Sequence, residues 1–470
     1  MAEEVKLTSK ELLNQLTAKH YQGALEAKAE GKPVVWATSI CPDELLAAMD
    51  LTTVYPENHA AAIGARKEAM TFIEHAEGRG YSSDICSYAR VNMGYVDIKH
   101  AEAQDIPMPD LIFSSTNICH TVLKWYENIA KELHIPLILF DMPFNHTYDV
   151  SDNCTKYIRG QLENAISQLE DFTGRKMDYD KLAQKMDMNN ATCQWWKKAT
   201  DWGKVKPSPL NGFDMFNYMA MIVCMRNSED GHKLFKLWYE ELKQKAEEGK
   251  GPWNSAEEQY RIIWDGIACW PHLSTTFKTL KKYGINMVTS TYPSSWYKVY
   301  ETNDLDGMAK AYTGNYANRN LNYGEDLISG LIKDFGVEGV VFHSNRSCKL
   351  MDFRCYEVQR SITDKMGVPS VIFDGDQTDP RVFSEAQFET RIQALVEMME
   401  KNKETIEKLT AAGLNPGKTI AETKKETGKD LVGVFPIRTP EEVVYAAGCV
   451  PIGMWGGHTE ITLADKYLQS

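Results

Sequence analysis

Short apolar runs alternate with helical stretches along two separate parts of this chain, and this alternation restricts the possible folds more than any other feature. In the first part the apolar runs are residues 33–39, 51–55, 111–115 and 136–142. In the second part they are residues 286–291, 339–343 and 370–374. Short strands that alternate with helices of about ten to fifteen residues are typical of βαβ units in a parallel sheet. The sequence therefore predicts two α/β domains with parallel sheets, of the Rossmann or flavodoxin-like kind.

The region between these parts is rich in Lys, Glu, Gln and Trp and carries long helical patterns. We predict an N-terminal α/β domain, a helical segment, a second α/β domain and a C-terminal extension, over residues 1–150, 151–252, 253–413 and 414–470. The length of 470 residues exceeds what one ordinary core accommodates, in agreement with two domains. We also predict one helix around residues 60–76 and a capping box of Ser255 and Glu258 before Tyr260–Trp264.

Charge and composition exclude several classes of protein. A formal charge of −13 at pH 7 argues against a nucleic-acid surface, which needs a basic stripe. The first residues, MAEEVKLTSKELL, carry acids where a secretion signal is basic and then apolar. No run reaches the roughly eighteen apolar residues of a membrane-spanning helix. We expect a cytoplasmic protein whose ten cysteines are free thiols, metal ligands or catalytic groups rather than disulfides.

Three cysteines occupy similar places in the predicted fold. Cys119 and Cys348 each follow a predicted strand and precede a predicted helix, while Cys86 lies in the first turn of a helix with Ser83 or Asp84 as its cap. Open parallel sheets bind ligands beyond the carboxyl ends of their strands, and helix N-termini favour thiolates. Three such cysteines facing one crevice would suit an anionic iron–sulfur cluster.

The spacing of these cysteines is also compatible with a plainer interpretation. The chain contains no C-x-x-C pair, so it has no compact ferredoxin or zinc-finger site. A lone buried cysteine is usually a small apolar core residue. On the residues alone, ligation of a cluster and burial in a core both stay open for the three cysteines.

Four segments resemble motifs of the 2-hydroxyacyl-CoA dehydratase / benzoyl-CoA reductase family. They are YSSDICSYARVNMG at 81–94, NICH at 117–120, YRIIWDGIAC at 260–269 and RSCK at 346–349. The resemblance covers about residues 30–410. Within the family, the length and the additional C-terminal segment are most similar to the α subunit that acts on (R)-2-hydroxyglutaryl-CoA.

The resemblance implies an oxygen-sensitive lyase, a dehydratase of amino-acid fermentation in anaerobes. It implies a [4Fe–4S] cluster held by three cysteines, which correspond here to Cys86, Cys119 and Cys348, with one iron free for the substrate. In this family one electron is added to the thioester carbonyl, and the ketyl radical expels the neighbouring hydroxyl in a syn-type elimination that gives a 2-enoyl-CoA. For (R)-2-hydroxyglutaryl-CoA, the preferred substrate by this resemblance, the product is glutaconyl-CoA.

Two further residues match family positions that line the substrate pocket. The resemblance implies that Ser39 hydrogen-bonds the substrate and that Glu57 transfers a proton near its hydroxyl. On the residues alone, Ser39 also fits the cap of a helix at Pro42, and Glu57 also fits a solvated loop acid. Cys41 precedes the same helix, but the family pattern excludes it as a ligand because a fourth thiolate would block the substrate's iron. His120 fits either a hydrogen-bond donor beside Cys119 or a partly buried structural histidine.

The resemblance also implies partners. It implies a paralogous β subunit in a heterodimer, a separate ATP-dependent iron–sulfur activator and an acyl-CoA substrate, with no nucleic acid and no membrane. It leaves open whether the complex holds FMN or another flavin. The alternatives are a lactoyl-CoA or phenyllactyl-CoA dehydratase subunit, a benzoyl-CoA reductase subunit, a non-catalytic electron-transfer subunit, and a metal-free small-molecule binding protein.

The C-terminal extension partly repeats an earlier stretch. Residues 435–452 resemble residues 37–54 at a constant offset of 398, with matching pairs Pro440 and Pro42, Glu442 and Glu44, and Ala446 and Ala48. A lone strand–helix–strand cannot bury its own apolar face. We therefore expect this unit to dock on the partner subunit, with docking on the rest of the chain and chance similarity as alternatives.

Overall fold

The computed structural model describes residues 7–253, 258–434 and 440–453. The described residues up to Met399 form one compact unit, and those from Glu400 onward form a second. The first unit holds two four-stranded parallel sheets, which confirm the predicted α/β fold class. No helix in these described ranges is long and apolar enough to cross a membrane.

The first sheet is built from the N-terminal part of the chain. Its strands are β1 Val34–Ala37, β2 Thr52–Val54, β3 Leu111–Ser115 and β4 Leu137–Phe140, in the order β2-β1-β3-β4. The helices of this part are α1 Ser9–Ala29, α2 Asp43–Ala48, α3 Pro56–Ala65, α4 Ala69–Gly78, α5 Ser87–Ile98 and α6 His120–Leu133. Thr8 caps α1 and forms a capping box with Glu11, as the sequence predicts.

The segment that follows is helical, as predicted. It consists of α7 Asp152–Thr173, α8 Tyr179–Thr200, α9 Gly212–Cys224 and α10 Glu229–Glu247, with a short 3-10 helix at Asp201–Lys204. Helices α8 and α10 pack against each other, and α2 packs on α8. This segment thereby forms part of the same compact unit as the first sheet.

The second sheet repeats the strand order of the first. Its strands are β5 Tyr260–Asp265, β6 Ile285–Ser290, β7 Gly339–Asn345 and β8 Ser370–Gly375, in the order β6-β5-β7-β8. Its helices are α11 Leu273–Lys282, α12 Leu305–Thr313, α13 Leu321–Phe335, α14 Lys349–Met366 and α15 Glu385–Leu414. Short 3-10 helices lie at Trp270–His272, Tyr292–Trp296, Tyr316–Asn318 and Pro380–Val382.

The strand order defines where a ligand can bind. In each sheet the chain runs outward from a central strand, β1 or β5, and then crosses back to its other side at β3 or β7. The crevice at such a switch point, beyond the carboxyl ends of the strands, is the usual ligand site of open α/β sheets. Strands β3 and β7 are therefore equivalent, and the residues after each lie at the edge where a ligand is expected.

Two local predictions are wrong. The helix predicted around 60–76 is interrupted between α3 and α4, where Lys67 adopts a left-handed φ of 64°. The capping box predicted before Tyr260–Trp264 does not start a helix, because this segment is strand β5. Its side chains alternate between two cores, with Ile262 and Trp264 in one and Ile263 in the other. Ser255 lies outside the described residues.

The second unit contains a small parallel pair of strands. It includes α16 Pro416–Thr427, β9 Leu431–Val434, α17 Glu441–Ala446 and β10 Val450–Gly453. Strand β9 pairs with β10 in parallel, so β9, α17 and β10 form one strand–helix–strand unit.

Candidate active site

Each of the three candidate cysteines directly precedes a helix. Cys86 is the N-cap of α5, Cys119 of α6 and Cys348 of α14. Main-chain N–H groups of the first helical turn donate to each sulfur, from Ala89 to Cys86, from Thr121 and Val122 to Cys119, and from Met351 to Cys348. These donors and the positive end of each helix dipole favour a thiolate.

The predicted cap of α5 is wrong. Ser83 and Asp84 lie upstream of this helix, and Cys86 itself is the N-cap. Its sulfur therefore lies where a capping oxygen would otherwise accept the N–H groups of the first turn.

All three cysteines line one cavity of about 590 Å³. Cys119 and Cys348 follow the equivalent strands β3 and β7, so this cavity lies at the carboxyl edge of both sheets. Much of the remaining wall is apolar, with contributions from Ile118, Leu123, Met142, Pro143, Phe144, Leu350 and Phe353. The structure thus brings the three predicted ligands together, although Cys348 lies far along the chain from the other two.

The thiols are electrostatically coupled. Burial raises the pKa of all three, and the charges of neighbouring cysteines raise it further for two of them. Cys348 and Cys119 act on Cys86, while Cys119 acts on Cys348, whose pKa rises to about 12. Three thiolates packed this way need a positively charged centre between them, and iron ions bound by sulfur meet that need.

The cavity does not have the form of a site for one ion. No group of three or more His, Cys, Asp or Glu within the described ranges is arranged to hold a single metal ion. A single tetrahedral ion draws its sulfurs to about 2.3 Å from one point. In a cluster each cysteine binds a different iron, so the sulfurs lie farther apart. The donor set and the size of the cavity therefore fit a cluster better than a single ion.

Asp376, directly after β8, connects two of the cysteines. Its carboxylate accepts hydrogen bonds from Ser87 Oγ and from the main-chain N–H of Ser347, the latter at 3.2 Å. The Ser87 N–H also donates to Ser347 Oγ at 3.0 Å. Ser87 follows Cys86 and Ser347 precedes Cys348, so this network fixes the two cysteines relative to each other.

Gln377 contacts a cysteine sulfur directly. Its Nε2 donates to Cys86 Sγ at 3.1 Å, and the residue is fully buried. A hydrogen bond to a ligating sulfur tunes a metal centre, because it withdraws electron density from the sulfur. Gln377 is therefore placed to influence whatever Cys86 binds.

Ser39 and Glu57 are in direct contact. The Ser39 N–H donates to Glu57 Oε2 at 2.9 Å, and Ser39 Oγ donates to Oε1 at 3.0 Å. Tyr126 Oη donates to Oε2 at 2.9 Å. Despite these donors, burial raises the pKa of Glu57 to about 7. Glu57 lies in the first turn of α3 and acts electrostatically on Cys119, so it is not a solvated loop acid.

The other candidate residues lie elsewhere. Cys41 is fully buried and does not line the cavity. Ser39 is not the cap of α2, because Pro42 holds that position and α2 begins at Asp43. His120 is exposed and lines the cavity, so it is not a partly buried structural histidine. All ten cysteines are free thiols, as predicted.

A buried charged network supports the loop that carries Ser39. Arg226 forms an ion pair with Asp43 and donates to the Cys41 carbonyl at 2.7 Å. Glu44 accepts hydrogen bonds from Tyr300 and Tyr312, at 2.6 Å and 2.8 Å. Since all these side chains are buried, the network fixes the backbone between β1 and α2.

We expect Arg226→Met to destabilise the first unit by about 3–5 kcal/mol, because it leaves the buried Asp43 carboxylate without its partner. Urea unfolding of the isolated chain at neutral pH measures this change. Arg159→Met is the matched control, because Arg159 pairs with Glu163 on the surface of α7 and should change stability by less than about 1 kcal/mol. Equal losses in both variants would contradict the role given to the buried pair.

Sequence reasoning missed several residues of this site. Asp376 and Gln377 follow the predicted strand 370–374, so the rule that ligands bind beyond strand ends could have drawn attention to them. Tyr126 and Arg226 lie on helices and carry no such signal. Their contacts with Glu57 and Asp43 are visible only in the folded chain.

The sequence was compared with known proteins. Residues 38–399 match the family model described as 2-hydroxyglutaryl-CoA dehydratase, D-component. The (R)-2-hydroxyisocaproyl-CoA dehydratase alpha subunit of Clostridioides difficile is 45% identical, over 83% of this chain and 96% of its own length. The alpha subunit of lactoyl-CoA dehydratase from Anaerotignum propionicum is also 45% identical, over 84% and 97%. The alpha subunit of (R)-2-hydroxyglutaryl-CoA dehydratase from Acidaminococcus fermentans is 36% identical, over 83% and 97%.

Beta subunits of such dehydratases match only a short stretch. The beta subunit of lactoyl-CoA dehydratase from Anaerotignum propionicum is 41% identical over 71 residues, which are 15% of this chain and 19% of that protein. Two other beta subunits, each 45% identical, match over 53 and 51 residues.

Proposed function

The chain belongs to the 2-hydroxyglutaryl-CoA dehydratase D-component family, and from this premise we propose that it is the alpha subunit of an (R)-2-hydroxyacyl-CoA dehydratase, a hydro-lyase. The observation that carries the proposal is the meeting of Cys86, Cys119 and Cys348 at one cavity, each at a helix N-terminus. Three cysteines leave one iron of a four-iron cluster without a protein ligand.

The three cysteines would hold a [4Fe–4S] cluster, and Cys41 would not. When bound, such a cluster supplies one electron and Lewis-acid assistance to the thioester. Asp376, through Ser87 and Ser347, keeps Cys86 and Cys348 in place. The apolar side chains of the wall exclude water from the cavity.

Ser39 and Glu57 would handle the proton. Glu57, with a pKa of about 7, is protonated in a large fraction of molecules at neutral pH. We assign its proton to the departing hydroxyl group of the substrate, which leaves as water. Ser39 and Tyr126 orient the carboxyl group through their hydrogen bonds, and they stabilise the carboxylate that forms when the proton is given up.

For the acyl group, we propose an aliphatic monocarboxylic chain. Two relatives at 45% identity are named for isocaproyl-CoA and lactoyl-CoA, while the relative named for glutaryl-CoA is 36% identical. The largely apolar cavity wall favours an aliphatic chain over a second carboxylate. The substrate expected by resemblance, (R)-2-hydroxyglutaryl-CoA, is the competing candidate, for which Lys349 in the wall would be the cationic partner.

The complex with a β subunit, supplied anaerobically with an activator, ATP and a reductant, tests this function. We expect dehydration of (R)-2-hydroxyisocaproyl-CoA or (R)-lactoyl-CoA with a higher kcat/KM than of (R)-2-hydroxyglutaryl-CoA. A preference for the glutaryl thioester would overturn the acyl assignment only. Reduction of the ring of benzoyl-CoA, without any dehydration, would overturn the dehydratase.

A spectroscopic measurement separates catalysis from electron transfer. If one iron is free for the substrate, the EPR or Mössbauer signal of the subunit changes when saturating acyl-CoA is added. An unchanged signal at saturation would favour a subunit that only carries electrons to its partner.

We expect Gln377→Leu to make the reduction potential of the cluster more negative by on the order of tens of millivolts, where 59 mV is a tenfold change for one electron. The cause is the loss of the hydrogen bond from Nε2 to Cys86 Sγ, which favours the reduced state. An EPR-monitored redox titration measures the shift. Gln359→Leu is the control, because Gln359 donates to Ser370 Oγ, outside the cavity lining. An unchanged potential in Gln377→Leu would contradict this role.

A further inference from the structure

The unit formed by β9, α17 and β10 has the same local structure as β1, α2 and β2. Helix α17 begins and ends 398 residues after α2, and Pro440 precedes it as Pro42 precedes α2. The left-handed residue after each helix is Asp50 in the first copy and Gly448 in the second. The predicted repeat is therefore also a structural repeat from the proline onward.

The main-chain hydrogen bonds at the end of the helix coincide as well. Leu51 N–H donates to the Leu46 carbonyl at 3.0 Å, and Cys449 N–H donates to the Val444 carbonyl at 3.1 Å. The first strand differs in register by one residue, because Val34 pairs with Thr52 whereas Leu431 pairs with Val450. The constant offset predicted for the whole stretch thus fails in the first strand, where the connection to the helix is one residue longer.

The two copies differ in what covers them. In the first copy β1 pairs with β3 along its second edge, and Leu45 and Leu46 of α2 are fully buried. Among the described residues β9 pairs with β10 alone, and no residue of α17 is buried. Val443, the equivalent of Leu45, is 65% exposed. The second copy thus has an open strand edge and an apolar helix face where the first copy has neighbours.

The comparisons indicate the origin of this copy. The family model ends at residue 399, and the alpha-subunit matches leave about 16% of this chain uncovered. Beta subunits match over 51 to 71 residues, a length that fits the segment beyond Met399. A paralogue aligned along the alpha-type region would give a long match at low identity, as a benzoyl-CoA reductase subunit from Thauera aromatica does with 25% over 423 residues.

We propose that the strand–helix–strand unit at 431–453 is a copy of a β-subunit segment and that it docks on the β subunit. In the docked state the open edge of β9 pairs with a strand of that subunit, as β1 pairs with β3. The partner also covers Val443 and Val444. The tail takes the position of the partner's own matching segment, an exchange of equivalent elements between two chains. The proposal rests on the heterodimer of the proposed function, but its test requires no catalysis.

The test uses the full chain with the beta subunit of lactoyl-CoA dehydratase from Anaerotignum propionicum, and it measures hydrogen exchange of the tail amides. We expect a population in which the amides of β9 exchange about tenfold more slowly than in the chain alone, because they become hydrogen-bonded. Val443→Glu should abolish this population without dissociating the two chains. Leu409→Glu should preserve it, because Leu409 has a similar exposed fraction of 67% but lies on α15.

A second measurement uses a β subunit that lacks the segment matching the tail. We expect the wild-type chain and Leu409→Glu to recover this shortened partner as a soluble complex, and Val443→Glu to recover at most a tenth as much. A complex with the full-length β subunit whose β9 amides exchange as in the free chain would overturn the docking and leave the dehydratase intact. Protection of β9 that rises with the concentration of this chain alone would overturn it too, in favour of a second copy as the occupant.

Discussion

Replacement of Cys86, Cys119 or Cys348 by Ala is expected to remove the iron–sulfur cluster from the subunit. Each cysteine would supply the single protein ligand of one iron, and no other thiol lines the cavity to replace it within the described chain. We expect iron in anaerobically purified variants to fall from about four per subunit to near zero, and dehydratase activity to fall by at least about 10³-fold. Iron and sulfide analysis, with the visible absorption spectrum, measures the loss.

Cys41→Ala is the matched control for these variants. Cys41 also lies between a strand and a helix, but it is fully buried outside the cavity lining. This variant should therefore keep its iron and its absorption spectrum. Loss of iron from Cys41→Ala, or full iron content in any of the three ligand variants, would contradict the ligand set.

Glu57→Gln is expected to lower kcat by about 10²–10⁴-fold, the usual contribution of a positioned general acid. The amide fits the space of the carboxyl group and can accept the hydrogen bonds of Ser39 and Tyr126, but it holds no transferable proton. The cluster should stay bound, so its spectrum should not change. Glu74→Gln is the control, because Glu74 is an exposed carboxylate on α4. A kcat within twofold of the wild type would exclude Glu57 from proton transfer.

The pH dependence gives an independent check on Glu57. Burial raises its pKa to about 7, so the carboxyl group carries its proton below this pH and loses it above. If the protonated form is the active one, kcat of the wild type falls as the pH rises through about 7. In Glu57→Gln this fall should be absent. A wild-type kcat that rises over the same range would instead assign Glu57 as a base.

Local structure could be predicted well from the sequence alone. The strand predicted at 111–115 and the helix predicted at His120–Leu133 agree with β3 and α6 in both bounds. Such elements can be predicted because apolar periodicity and helix-start residues act over a few neighbouring positions. The failure at Tyr260–Trp264 has the same origin, because a buried central strand shows no alternation with polar residues.

The sequence also supplied the family, through four short motifs, and with it the candidate roles of Ser39, Glu57 and the three cysteines. Spacing alone did not, because a lone cysteine before a helix has the same pattern whether or not it binds iron. Cys41 shows this ambiguity, since it shares the local pattern of the other three but is buried outside the cavity lining.

Only the tertiary structure decided which groups act together. Ser87 and Asp376 are 289 positions apart, as the hydrogen bond between them records, and Gln377 reaches Cys86 over 291 positions. The pKa of Glu57 depends on burial by residues distant in sequence, which no local pattern encodes. The physical reason is the range of the forces: propensity and capping act within one or two turns, whereas a cavity, its donors and its shifted pKa values arise only when distant segments pack.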